Sequence, residues 1–235
     1  MIRIGLGITT CNNKESLVKL INSIKKYTDK VPYTLYCAVD GSTDGTVEYL
    51  MDQDIEFVYG PAVGPAKNKN RIIRRFFQYN YMFIINDTME ITSEGWVELF
   101  ISAAGLFNYP YFIFPEDKLS PSNPGERMGD MELSLVNTYS DNLLFYTRRS
   151  IEKVGAMDER LYGREASKDQ YYRLYKGKMV PHPSKGYPII QNAFDYMKCE
   201  SSGLEVKDQH TINDITNMMK LKSEIDGTGN VYRKL

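Results

Sequence analysis

The sequence predicts an α/β fold, with one doubly wound, mixed but mostly parallel sheet flanked by helices and an irregular C-terminal tail. Three observations carry this. Strand-length apolar runs alternate with helix-period segments three times over residues 2–85. Each of those runs ends in a polar or glycine-rich segment, as the carboxyl edge of a parallel sheet does. The 235 residues are 42% hydrophobic and 25% charged, an ordinary globular composition. A chain of that length can bury roughly 70% of its unfolded surface without metal or disulfide staples.

Taken in order, Ile2, Ile4, Leu6 and Ile8 alternate with Arg3, Gly5 and Gly7, which reads as a first strand and not as a signal peptide. After a polar turn, Leu17, Leu20, Ile21 and Ile24 recur at helical spacing, with Asn12 and Glu15 as the predicted N-cap pair. Residues 33–39 form a second strand, ended by Asp40-Gly41-Ser42-Thr43-Asp44-Gly45, and residues 46–51 a second helix. Asp44 is expected to cap that helix or hold the turn. Residues 55–59 form a third strand. Gly60-Pro61 and Gly64-Pro65 break the chain before a helix with Ile72, Ile73, Phe76 and Phe77 on one face and Lys67, Arg71, Arg74 and Arg75 on the other. Residues 81–85 are a fourth strand. Three successive βα units require parallel pairing through right-handed crossovers.

The second half is less regular. It predicts a helix over 96–106, a strand over 111–114, a long Pro/Gly/Ser-rich loop over 115–129, of the kind that is functional or mobile, and a strand over 143–147. A short helix near 150–154, a helical segment near 168–175 and a strand over 178–181 follow. In the tail from Ser201, Ile212, Ile215, Met218 and Met219 predict one docked amphipathic helix. The domain expected is 1–185, with halves at 1–92 and 93–185, and 186–235 is an extension packed on it.

Lys plus Arg total 29 against 30 Asp plus Glu, a net charge of -1, which excludes a globally basic nucleic-acid or anionic-membrane surface. No apolar run approaches the roughly 20 residues of a membrane span. Cys11, Cys37 and Cys199 are odd in number and far apart, so neither a zinc spacing nor a disulfide framework is legible. A reducing, cytoplasmic location is expected.

Several segments carry chemistry. A carboxylate at a strand end, as Asp40 is, can accept a hydrogen bond from a uracil N3–H, beside the backbone donors of the turn that follows. Lys67, Lys69, Arg71, Arg74 and Arg75 open a helix after a Gly/Pro turn, where cations and helix N-terminal amides suit a diphosphate or a nucleic-acid phosphate. Such a leaving group needs charge neutralisation, by cations or by a divalent metal on carboxylate oxygens. Asp87 is the only aspartate of the Asn86 to Glu90 segment. His182 and His210 are the only histidines and neither is assigned a role.

Together these segments resemble the family 2 glycosyltransferases with the GT-A fold. Val39-Asp40-Gly41-Ser42-Thr43-Asp44-Gly45-Thr46 is similar to that family's D-D-G-S-T-D-G-T. Ile8-Thr9-Thr10-Cys11-Asn12 is similar to its I-P-T-Y-N, and Gly64 with Ala66, Lys69 and Asn70 to its G-x-x-x-x-R-N. Asn86-Asp87-Thr88 stands where its D-x-D would be, with Asp87 the ligand if one residue is inserted before Trp96. Residues 148–162 resemble its R-R-x-x-F-E-K-V-G-G-F-D-E segment. The resemblance covers about residues 2–180. It implies a nucleotide-sugar donor, UDP-linked, bound by Thr9, Thr10, Asn12, Asp40, Gly64, Lys69 and Asn70, with Mn²⁺ or Mg²⁺ on Asp87. It further implies inverting transfer to an acceptor hydroxyl of a glycan, a lipid-linked sugar or a hydroxymethylated DNA base of a phage. On it, 1–92 is the nucleotide-sugar half and 93–185 the acceptor side. The E-D-x-D segment that would supply the base falls on Glu165-Ala166-Ser167-Lys168-Asp169, so Asp169 is the first candidate and Glu165 the second. Asp141 is a further acid near a strand, without motif support. The degenerate acidic motifs leave one alternative, a catalytically silent nucleotide-sugar binding or assembly protein.

Overall fold

A computed structural model of the chain describes residues 1–115, 125–161 and 164–200. The 116–124 part of the predicted long loop, His210 and the amphipathic stretch from Ile212 to Met219 lie outside the described residues.

The first half alternates as its periodicity predicts: β1 (Ile4–Thr10), α1 (Lys14–Tyr27), β2 (Thr34–Asp40), α2 (Thr46–Asp52), β3 (Glu56–Gly60), α3 (Pro65–Phe76) and β4 (Tyr81–Asn86). Then come β5 (Met89–Ile91), α4 (Trp96–Leu106), β6 (Tyr111–Phe114), β7 (Arg127–Met128), β8 (Met131–Val136) and β9 (Leu143–Thr147). The described chain closes with α5 (Arg148–Val154), α6 (Arg164–Lys176), β10 (Tyr187–Ile190) and β11 (Met197–Cys199). Six strands form the central sheet in the order β3-β2-β1-β4-β9-β6. β1 through β4 are parallel, while β9 runs antiparallel to both β4 and β6. That reversal places the start of β9 at the carboxyl ends of the parallel strands, the edge where α/β sheets bind ligands.

The sheet is buried on both faces because its central strands present apolar side chains alternately to each. Phe83 and Ile85 join Leu17, Leu20, Ile21, Trp96 and Phe100 beneath α1 and α4. Met82 and Ile84 join Ile72, Ile73, Phe76, Ile151 and Leu174 beneath α3, α5 and α6. The glycines of β1 let α3 come close: a Cβ on Gly7 would sit 2.2 Å from the Ile72 side chain, and one on Gly5 2.5 Å from the Phe76 ring.

Three local expectations are corrected. Asn12 does not cap α1; it is in the left-handed region at φ 48°, and Asn13 takes the N-cap position without a side-chain cap bond. No strand forms over 178–181, because α6 ends there in a turn: Gly177, Lys178 and Met179 amides return to the carbonyls of Arg173, Tyr175 and Leu174, with Lys178 at φ 58°. The boundary at 185 is not a structural one, since β10 pairs with β8 and β11 with β5, and Ile190, Ala193 and Met197 are part of the core.

Candidate active site

An open pocket of about 320 Å³ lies at the carboxyl edge of the parallel strands, within the range of small-molecule sites. β1 contributes Thr9 and Thr10, followed by Cys11 and Asn13, and β2 contributes Asp40. The start of α3 adds Pro65, Asn68 and Lys69, and the end of β4 adds Asn86, Asp87 and Thr88. Asp141, two residues before β9, and Arg164, first residue of α6, complete the lining.

Asp40 is 6% exposed and closes the Gly60–Pro65 turn, its two carboxylate oxygens accepting the Val63 and Gly64 amides at 2.9 and 3.0 Å. Arg71 stands 3.6 Å from it and also donates to the Val39 carbonyl. Gly64, at φ 88°, thus acts through its backbone, in a conformation glycine adopts at little cost. Asn12 is a tie between loops: its amide donates to the Ser42 hydroxyl at 2.9 Å and its Oδ1 accepts the Thr43 amide at 2.7 Å. Asp44 accepts the Thr46 hydroxyl and the Lys14 amide, as a turn-holding acid should.

Lys69 and Asn70 are neighbours with different tasks. Asn70 is fully buried, donates to the Met157 carbonyl at 3.0 Å and accepts the Met157 amide at 2.8 Å, joining α3 to the segment after α5. Lys69 is 3% exposed and in contact with Asp141 inside the pocket. Burial pushes the Asp141 carboxyl up, but Lys69, Arg164 and the Ser167 hydroxyl outweigh it and hold the group below the usual carboxylate range. Asp87 has the opposite balance. Burial raises it, and the Asn13 side chain, donating at 3.1 Å, together with Thr10 and the Cys11 amide, offsets only part of the rise. Thr10 is 3% exposed, and among the described residues its hydroxyl has no partner at full hydrogen-bond geometry. Burial and the nearby Asp40, Asp87 and Asp44 raise the Cys11 thiol, so it is a poor nucleophile.

Of the residues the motifs single out, Thr9, Thr10, Asp40, Lys69 and Asp87 line the pocket, whereas Asn12, Gly64 and Asn70 support it from outside the lining. Neither Glu165 nor Asp169 is part of the lining. Asp169 is 2% exposed and paired with Arg173 at 2.9 Å, while Arg173 also binds the carbonyls of Val154 and Ala156. Glu165 sits in the first turn of α6, partly exposed, 3.5 Å from Lys168 and adjacent to pocket-lining Arg164. The motifs did not point to Asn13, Asn68 or Arg164, and they gave Asp141 no support. The one available signal was that an acid immediately before a strand can reach the same sheet edge. Among the described residues no group of three or more His, Cys, Asp or Glu could hold a metal ion unaided. What Asp87 and its neighbours provide is one carboxylate among amide and hydroxyl oxygens. That set suits a cation shared with a ligand's phosphates and not an all-protein cage.

Residues 6–113 match the model for glycosyl transferase family 2. The fold is GT-A, and over those residues the chain resembles family 2. Crystal structures of S. aureus TarS residues 1–349 superpose on this family 2-like chain with a TM-score of 0.62 at 13% identity, covering 98% of it and 67% of that fragment. The same fragment in complex with UDP gives 0.61, and in complex with UDP-GlcNAc 0.60, again at 13% identity over 98% of the chain. A longer TarS structure is covered over 40% of its length. No curated protein matches the sequence at a significant level. Among the described residues no helix is long and apolar enough to cross a membrane.

Proposed function

We propose that the chain is an inverting glycosyltransferase, moving a sugar from a UDP-linked donor to an acceptor hydroxyl. The observation that carries this is the gathering of two cations, Lys69 and Arg164, and a separate buried carboxylate, Asp87, in one pocket at the carboxyl edge of a family 2-like sheet. The UDP and UDP-GlcNAc complexes of the structurally similar TarS support the choice of nucleotide. Each Asp40 oxygen accepts one backbone amide and has a second lone pair, so the carboxylate can also accept the uracil N3–H.

In the reaction the acceptor oxygen attacks the anomeric carbon as the bond to the diphosphate oxygen breaks, and the acceptor proton passes to a carboxylate. The surroundings of Asp169 favour Glu165 for that role, since Asp169 is sealed in an ion pair while Glu165 stands at the open end of α6. Lys69 and Arg164 stabilise charge on the departing UDP. Mn²⁺ or Mg²⁺, when bound through Asp87 and the donor's phosphates, adds to that neutralisation. Arg74 and Arg75 are paired with Glu159 and Glu56, which leaves α3 less suited to a DNA backbone and favours a glycan-type hydroxyl as acceptor.

Calorimetry with UDP, GDP and ADP, with and without Mn²⁺, tests the nucleotide, and donor hydrolysis tests the chemistry. UDP no tighter than the purine nucleotides would reject the donor assignment. Binding of a UDP-sugar without hydrolysis or transfer in any acceptor screen would leave a silent binding protein.

A further inference from the structure

Asp141 belongs to no motif, yet it is the point at which three elements meet in the pocket. Its Oδ2 contacts Lys69 of α3 and accepts the Ser167 hydroxyl of α6 at 3.4 Å, while Oδ1 faces Arg164 of α6 at 3.7 Å. Lys69 is buried, and among the described residues its ammonium has this one carboxylate as its ion-pair partner. Removing one partner of a buried ion pair leaves the other without the contact that fixes its position. A carboxylate beside an anion site would ordinarily weaken anion binding by repulsion. Here positioning is the larger effect, because Asp141 holds the Lys69 ammonium by direct contact at the pocket and orients Arg164 toward the same space.

Resting on the glycosyltransferase reading above, we propose that Asp141 is a positioning residue for the donor's diphosphate, holding Lys69 and Arg164 as a two-cation cradle. The cradle joins α3, on the nucleotide side, to α6, which carries Glu165 in the same first turn as Arg164. Asp141 thereby connects the donor half of the pocket to the acceptor half.

The test compares the full chain with its Asp141→Asn and Asp141→Glu variants by calorimetry, using UDP, inorganic pyrophosphate and uridine as probes. Asp141→Asn should bind UDP and pyrophosphate at least ten-fold more weakly and uridine unchanged, because uridine has no phosphate to place. Equal loss of uridine would indicate a general structural role, and unchanged or tighter UDP and pyrophosphate binding would make Asp141 merely an opposing charge; either overturns the proposal. Should Asp141→Asn fail to fold, Asp141→Glu decides. One added methylene displaces both cations, so at least three-fold weaker binding of the phosphate probes alone is expected, and wild-type behaviour overturns it. Wild-type protein that binds pyrophosphate but not UDP would reject the nucleotide reading while leaving the cradle standing. Wild-type indifference to both overturns the cradle as well.

Discussion

Asp87 and Asp141 line the same pocket and are almost equally buried, yet their carboxyls are driven in opposite directions. Asp87 follows parallel β4 with neutral hydrogen-bond donors and no cation, so desolvation, reinforced by the Asp44 charge, prevails and its proton is held more tightly than usual. Asp141 precedes antiparallel β9 and faces Lys69 and Arg164, which more than offset desolvation. Burial alone therefore predicts neither group; the charge of the neighbours decides. Chemically, the Asp87 wall is one underused carboxylate suited to a cation, and the Asp141 wall is a cation pair suited to an anion. On the proposed function, a nucleotide diphosphate spanning the pocket would engage both.

The largest expected effect sharpens this division by asking what else α6 brings to the Asp141 wall. Glu165→Gln should lower kcat by about 10²- to 10⁴-fold with UDP affinity nearly unchanged, as removal of a general base does. Asp169→Asn should act on the fold, because it opens a buried pair with Arg173 that ties α6 to the Val154 and Ala156 carbonyls. Steady-state kinetics beside urea melts separate the two. Full stability with a comparable loss of kcat in Asp169→Asn would return the base to Asp169.

The second effect is on stability and differs in sign across the two walls. Asp141 has a lowered pKa, so it contributes stability that is present above the unfolded-state pKa and is lost as pH falls through the folded-state value. Asp141→Asn should therefore cost roughly 3–5 kcal/mol at pH 7, the range for breaking a buried pair from one side, with the difference from wild type shrinking in acid. Asp87 has a raised pKa, so its contribution is present below the unfolded-state pKa and is lost as pH rises through the folded-state value. Asp87→Asn should be as stable as wild type or more so at pH 7. Urea midpoints across pH 3–8 give the comparison, and equal costs for the two variants at pH 7 would abolish it.

The asymmetry also explains what the sequence made legible. Thr9, Thr10, Asp40, Lys69 and Asp87 lie at the strand ends or in the first turns of a regular β-α alternation, so the carboxyl-edge rule collects them from the sequence pattern. Asp141 and Arg164 come together only because β9 enters the sheet antiparallel between β4 and β6, a pairing that no local pattern encodes. Helix α4 and strands β6 and β9 agree with their predicted limits because long apolar runs leave little choice. Strands β5 and β11 have three residues each and exist through each other, which a periodicity window cannot see. The mistaken strand over 178–181 shows the same limit from the other side, since its residues are used by the backbone to finish α6.

Removing divalent metal tests the Asp87 wall alone. Chelation should weaken UDP binding by about ten-fold in wild type and not at all in Asp87→Asn, while Asp141→Asn retains the metal dependence of whatever affinity remains. Metal-dependent binding that survives in Asp87→Asn would move the cation elsewhere. Metal-independent binding in wild type would leave the diphosphate charge to Lys69 and Arg164.

The smallest effects come from the neutral hydrogen-bond donors on each wall. The Asn13 side chain donates to Asp87 at 3.1 Å and the Ser167 hydroxyl to Asp141 at 3.4 Å. Each bond favours the ionised carboxylate, so Asn13→Ala and Ser167→Ala should both raise the pKa of their partner and each cost about 1 kcal/mol or less. The consequences should still differ. Asp141 retains Lys69 and Arg164, and remains ionised at neutral pH without Ser167, so phosphate binding should be unchanged. Asp87 lacks a cation and already holds its proton more tightly than usual, so losing Asn13 extends its protonation toward neutral pH, where protons compete with metal. Asn13→Ala should therefore shift the acid limb of metal-dependent UDP binding upward in pH, and Ser167→Ala should not. Calorimetry across pH 5–8 with and without Mn²⁺ reads the limb directly, and coincident limbs in the two variants would show that the neighbours of Asp87 do not govern its proton.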